Sequence, residues 1–159
     1  MADNYQLFSE IIPALTEEER AWTRRVLGCT EGVEREGETA IILKDAGVDG
    51  DDVDFCDWPG FEWSIDDPSF DLWLYGEDYG NVSHAAEFVR AFLAKFRPTA
   101  CWQLTWAETC SKPRIGEFGG GGVFVTALKA TFCIPHEWLA RQKKKFERAA
   151  GSSEVAARP

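Results

Sequence analysis

The sequence predicts an α+β protein, a two-layer sandwich in which helices pack on one face of a mainly antiparallel sheet of four to five strands. Segments with strand-like alternation follow each other across short turns, which favours antiparallel neighbours. Helical segments with an apolar face lie between these groups of strands, as a sheet with one buried face requires. The 159 residues, 45% of them apolar, predict a single domain over residues 1–150 and a disordered tail over 151–159.

Three helices are predicted, and two of them have clear start signals. Thr16 followed by Glu19 has the form of a capping box. Asn81 is a favourable N-cap, and Pro98 ends the helix that follows it. The predicted helices are Glu17–Leu27, Val82–Phe96 and a last helix that begins at Pro135.

Strands are predicted where apolar residues alternate or where β-branched and aromatic residues are concentrated. The segments with this pattern are residues 39–43, 61–65, 72–75, 101–106 and 123–128, and residues 131–134 are expected to continue the last of these strands beyond a turn near Lys129. The apolar opening segment, up to Pro13, is either a first strand or an arm packed on the core.

Residues 101–127, CWQLTWAETCSKPRIGEFGGGGVFVTA, read as a strand, a long loop and a returning strand. Ile115 and Phe118 are expected to pin the loop to the core, and the glycines to allow close approach to Trp102 or Trp106. Long ordered loops are often functional, so one hypothesis is an enzyme or small-ligand site here. Its candidate residues are Cys110, Lys112, Arg114, Gly119, Gly120 and Gly121.

Charge is unevenly distributed along the chain. Residues 1–81 contain 21 acids and 5 bases, a net charge of −16, whereas residues 82–159 contain 6 acids and 12 bases, a net charge of +6; together they give the net charge of −10. The stretch 45–78 contains twelve acids and no base. Such asymmetry predicts an electrostatically polar molecule.

The acidic stretch gives the favoured functional hypothesis, a non-enzymatic module that docks on a protein partner with a basic surface. Carboxylates attract such a partner, and a tryptophan is a favoured anchor at the centre of an interface. The alternative is a solvated face that serves only solubility. The candidate partner-binding residues are Asp49, Asp51, Asp52, Asp54, Asp57 and Trp58.

Other classes of function have weaker support in the sequence. No cofactor and no metal site are expected, because the chain has no CxxC pair and its acidic stretch lacks the ligand spacing of a calcium loop. A nucleophilic Cys110 needs a base, for which His84 is the candidate. The chain shows no secretory pattern, and its five cysteines are scattered, which favours a cytoplasmic protein with reduced thiols. It has no long apolar run, so no membrane contact is expected. A structural accessory subunit that oligomerises through aromatic side chains is a third hypothesis.

The 101–127 stretch, preceded by LWLYGEDYGNVSHAAEFVRAFLAKFRP, resembles a family of short uncharacterised proteins associated with bacteriophage and mobile-element regions of bacterial genomes. The resemblance covers about residues 61–139. It implies a small accessory protein, engaged in conflict between phage and host as an anti-defence protein. It implies no catalytic residue.

Overall fold

The computed structural model describes residues 3–30, 36–48, 53–65, 71–112, 115 and 117–156. The α+β prediction is confirmed, although the antiparallel sheet has six strands among the described residues, in place of four or five. The strands are β1 Asn4–Ile12, β2 Glu62–Ser64, β3 Leu72–Gly76, β4 Cys101–Cys110, β5 Gly119–Thr126 and β6 Ala130–Cys133. The helices of the described part are α1 Glu17–Leu27, α2 Glu36–Asp45, α3 Val82–Phe96 and α4 Pro135–Ala156.

The opening segment is a strand at the centre of the sheet. The strand order is β2-β3-β1-β4-β5-β6, so β1 has a neighbour on each side. Its second half pairs with β3, with Ile12 opposite Leu72, and its first half pairs with β4, with Asn4 opposite Cys110. The remaining strands form two local groups, β2-β3 and β4-β5-β6, which β1 joins into one sheet.

The first and third helices have the bounds and caps that the sequence predicts. Thr16 Oγ1 accepts a hydrogen bond from the backbone N–H of Glu19, and the Glu19 carboxylate accepts one from the backbone N–H of Thr16. The side chain of Asn81 accepts a hydrogen bond from the backbone N–H of His84 at the start of α3. These bonds satisfy donors that the first turn of a helix leaves without partners.

The core lies between the helices α1, α2 and α3 and one face of the sheet. The Trp22 ring of α1 stacks on Phe88 of α3, with centroids 5.7 Å apart, and also contacts Phe92 and Phe96. On β4 the alternating residues Trp102, Leu104 and Trp106 are buried, whereas the residues between them are exposed. One face of β4 is therefore covered and the other faces solvent.

The prediction of a strand at residues 39–43 is wrong, because these residues lie in α2. Thr39 and Leu43, four positions apart, are both buried, whereas Ile41 is exposed. The β-branched residues favour a strand locally, but this short run also has one helical face, and burial of Leu43 in the core decides between the two.

The last helix is longer than the sequence indicates. α4 extends to Ala156, so residues 151 to 156 continue the helix where a disordered tail is expected. Its described side chains between Pro135 and Lys145 are exposed, except for Gln142, which is half-buried. This described part of the helix therefore packs only weakly on the rest of its own chain.

Candidate functional site

The segment from Asp54 to Gly60 is held against α3 by the buried side chain of His84. The Nε2 atom of His84 accepts a hydrogen bond from the backbone N–H of Asp54 at 3.1 Å. The Nδ1 atom lies 3.1 Å from the carbonyl oxygen of Pro59. Because Nε2 accepts, the ring proton belongs on Nδ1, from which it is donated to Pro59. Both ring nitrogens are engaged in this arrangement, so His84 is not the free base that a Cys110 nucleophile needs.

Trp58 is not an exposed anchor, which corrects the sequence-based assignment. Its side chain is only 4% exposed, and its indole N–H donates a hydrogen bond to the carbonyl oxygen of Val26 at 3.0 Å. The ring also packs edge-on against Phe61 and lies 5.5 Å from the ring of His84. Trp58 thus belongs to the core and positions the acidic segment from beneath.

Two of the predicted acidic residues are available at the surface. Asp54 and Asp57 are exposed; Asp54 is the N-cap of the short 3-10 helix Phe55–Asp57, and Asp57 is its last residue. The Asp54 carboxylate caps this helix by accepting from the backbone N–H of Cys56. The candidates Asp49, Asp51 and Asp52 lie outside the described residues.

An exposed aromatic residue, Tyr79, lies beside this segment. Its side chain is 72% exposed, although the preceding strand and the following helix are largely buried. Three grooves, of about 380, 400 and 330 Å³, share Tyr79 as a lining residue. Tyr79 is not among the residues predicted from the sequence; its position directly after the twelve-acid stretch is the available signal.

Carboxylates surround Tyr79 in the structure. Asp57 and Glu62 line one of the grooves, Glu108 and Glu117 line another, and Asp78 precedes Tyr79 in the chain. We call Tyr79 and these five acids the Tyr79 surface. Two of its acids, Glu108 and Glu117, come from the half of the chain with net positive charge, which a count along the sequence does not reveal.

The charged residues described in the lining of these grooves are acidic. None of the described residues that line the three grooves is lysine or arginine. The pKa of the neighbouring Tyr5 phenol is raised, first by loss of contact with water and then by the charges of Asp3 and Asp78. The carboxylates add to this shift by disfavouring the phenolate, and the same charges favour an approaching cation.

The glycine-rich segment is part of a strand, whereas the sequence-based prediction places it in a loop. Gly119, Gly120 and Gly121 are the first residues of β5 and pair with Glu108, Ala107 and Trp106 of β4. The expected close approach to Trp106 is confirmed. A Cβ atom at Gly121 would lie 2.5 Å from two atoms of the Trp106 ring, and one at Gly120 would collide with the Trp106 carbonyl oxygen. At Gly120 the φ angle of 139° also favours glycine.

The rest of the predicted loop site is only partly assembled. Ile115 is fully exposed and Phe118 is 56% exposed, so the prediction that they pin the loop to the core is wrong. Lys112 is exposed, Cys110 is half-buried at the end of β4, and Arg114 lies outside the described residues. Instead, Ser111 ties the loop to the start of β1, since Ser111 and Asp3 exchange two hydrogen bonds of 2.9 Å.

None of the five cysteines forms a disulfide bond in the structure, and only Cys29 is buried. Within the described residues, no group of three or more histidine, cysteine or acidic side chains is placed to hold a metal ion. In that same part of the chain, no helix combines the length and apolar character needed to cross a bilayer.

No protein-family model, curated protein or solved structure matches the chain.

Proposed function

We propose that this protein is a non-enzymatic binding module that docks on a basic protein through the Tyr79 surface. The observation that carries the proposal is the exposed side chain of Tyr79 with carboxylates around it. Tyrosine is enriched at the energetic centres of interfaces because it offers a large rigid contact area and a polar tip. The carboxylates attract a basic partner at long range and select against acidic ones.

Rigidity of the surface supports a docking role. Asp57 lies in a segment that is fixed from below by Trp58 and from the side by His84. The turn that bears Tyr79 is fixed as well, because the backbone N–H of Gln6 donates to Asp78 and the backbone N–H of Gly80 donates to Gln6. A surface that is ordered before binding loses little conformational entropy when the complex forms.

The partner that fits this chemistry is a protein that ordinarily binds nucleic acid. Such proteins present lysine and arginine side chains at the spacing of phosphates. An array of carboxylates is able to pair with these side chains in place of the phosphates. The resemblance to proteins of phage and mobile-element regions favours a partner from a host defence system, so that the module acts as an anti-defence protein. The 110–122 hairpin is a weaker candidate site, because its glycines make room for the Trp106 side chain and backbone.

The first prediction tests the Tyr79 surface with a defined basic probe, a fluorescent oligoarginine peptide. Replacement of Tyr79 by alanine should weaken binding by about tenfold, the loss typical of an interface centre. The triple variant Asp57→Asn/Glu62→Gln/Asp78→Asn should weaken it at least as much at low salt, and less at high salt. Fluorescence anisotropy at about 50 mM and about 0.5 M NaCl measures both effects.

The matched control removes three other exposed charges. Glu17→Gln/Glu38→Gln/Asp45→Asn changes the net charge by the same amount on α1 and α2. Equal weakening by both triple variants would mean that the peptide responds to net charge alone, which contradicts a localised docking surface. The wild-type chain should also displace labelled duplex DNA from a basic DNA-binding protein more effectively than Tyr79→Ala does.

A further inference from the structure

A second exposed surface is formed by the first half of the 22-residue helix α4, where the side chains between Pro135 and Lys145 are exposed except for Gln142. Trp138 and Leu139 are 51% and 59% exposed, and the described side chains around them are exposed as well. Helices in proteins owe most of their stability to the packing of one face. The described side chains of α4 between Pro135 and Lys145 make few such contacts within their own chain, so a covering surface for this part of the helix is expected from outside it.

The charge of α4 identifies the kind of surface that covers it. Residues 141–148 contain five bases and one acid. Lys144 and Lys145 are exposed. The helix therefore combines a cationic segment with two exposed apolar side chains one turn before it. The cations complement the carboxylates of the Tyr79 surface, and the apolar side chains complement its aromatic ring.

We propose that α4 docks on the Tyr79 surface of a second copy of this chain. This inference rests on the docking role proposed for that surface. Each copy contributes one basic helix and one acidic surface, so two reciprocal contacts close a symmetric dimer. Lys144 and Lys145 approach Asp57 and Asp78 of the second copy, and Trp138 enters the apolar part of the groove beside Tyr79. A basic partner then competes with α4 for the same carboxylates.

Charge complementarity between the two halves favours the second copy over other occupants. The half with net charge −16 and the half with net charge +6 attract each other between molecules, although the overall charge of −10 opposes association. None of Asp57, Glu62 and Asp78 takes part in an ion pair among the described residues. These carboxylates are therefore available to a cation from outside.

The test is sedimentation equilibrium of the full chain at about 50 mM and about 0.5 M NaCl. A dimer is expected at low salt, with dissociation promoted by salt. Lys144→Glu/Lys145→Glu should raise the dimer dissociation constant by about tenfold or more. The control Lys95→Glu/Lys129→Glu replaces two other exposed lysines and changes the net charge by the same amount. It should change the dimer dissociation constant far less. Asp57→Lys/Asp78→Lys should restore association when mixed with Lys144→Glu/Lys145→Glu.

The two proposals fail in different ways. A monomer at both salt concentrations, or equal weakening by the two lysine pairs, overturns the dimer. Oligoarginine binding by the monomeric Lys144→Glu/Lys145→Glu variant would still support the Tyr79 surface as a docking site. Glutamate and lysine have similar helix propensities, so α4 should keep its helical form, and an unchanged helical circular dichroism signal would verify that each variant is folded.

Discussion

Gly121 makes room for the indole ring of Trp106, and this contact gives the second prediction. Gly121→Ala places a Cβ atom 2.5 Å from the ring and 2.7 Å from the carbonyl oxygen of Cys133, a backbone atom that cannot easily move. Overpacking of this kind should lower the free energy of unfolding by about 2 kcal/mol. Urea denaturation measures the change.

Gly122 is the matched control for this prediction. A Cβ atom at Gly122 has its nearest neighbour, the carbonyl oxygen of Leu104, at 3.6 Å, which is an ordinary contact. Gly122→Ala should therefore change the free energy of unfolding by less than about 0.5 kcal/mol. A loss as large as that of Gly121→Ala would indicate a general requirement for glycine in β5 and not a steric one at Trp106.

Individual residues differ in how far the sequence reveals their role. The close approach of the glycines to Trp106 is predictable, because a glycine inside a strand commonly marks a place where another group comes near the backbone. The burial of Trp58 is not predictable from the sequence, because its indole N–H finds its acceptor on Val26, which is distant in the chain. The acidic character of residues 45–78 is visible, but the convergence of Glu108 and Glu117 on Tyr79 depends on the fold.

At the scale of elements, Arg97 joins the end of α3 to the start of α1. Its guanidinium donates two hydrogen bonds to the buried carboxylate of Glu19, at 2.7 and 3.0 Å, and two more to the carbonyl oxygens of Pro13 and Ala14. The hydrogen bond from Arg97 is the main cause that lowers the pKa of Glu19. One side chain thus holds both the capping box and the connection from β1 to α1.

The third prediction concerns the pH dependence of this contact. A carboxyl group whose pKa is lower in the folded state stabilises the fold above its unfolded pKa, here about 4.5, and the stabilisation is lost as the pH falls through the folded pKa. Glu19→Gln should therefore reduce the free energy of unfolding by about 3 kcal/mol at neutral pH. Its deficit relative to the wild type should shrink as the pH falls below about 4.5.

Denaturant titrations between neutral pH and about pH 3 test this dependence, with Glu18→Gln as the control. Glu18 is an exposed neighbour of Glu19 in the first turn of α1. Its replacement should have an effect of less than about 0.5 kcal/mol at any pH. A deficit in Glu19→Gln that is independent of pH would show that the ion pair does not provide the stabilisation.

Elements with strong end signals are predictable from this sequence, and short apolar runs are not. The bounds of α1 and α3 follow from Thr16, Asn81 and the apolar faces between the caps and the breakers. The strand prediction at 39–43 fails because five residues fit both a strand and one face of a helix. The centrality of β1 is not predictable, since strand order depends on contacts between distant segments.

At the scale of the whole molecule, the uneven charge gives the fourth prediction, that the protein does not bind duplex DNA at physiological salt. The basic residues of α4 attract phosphates, but the larger negative charge of residues 1–81 repels them. An electrophoretic mobility shift assay with a mixed-sequence duplex should show no complex at micromolar protein, whereas a basic DNA-binding protein shifts the same duplex. Nanomolar binding that is independent of sequence would contradict this prediction.

The central position of β1 has a consequence for the synthesis of the chain. β1 leaves the ribosome before any of its partners: Ile12 must wait for Leu72, and Asn4 must wait for Cys110. Until then, both edges of this strand are open to other chains, and the late closure of such distant pairs slows folding. The growing polypeptide should therefore depend on chaperones until β4 has emerged, since only then does β1 have a partner strand at both of its edges.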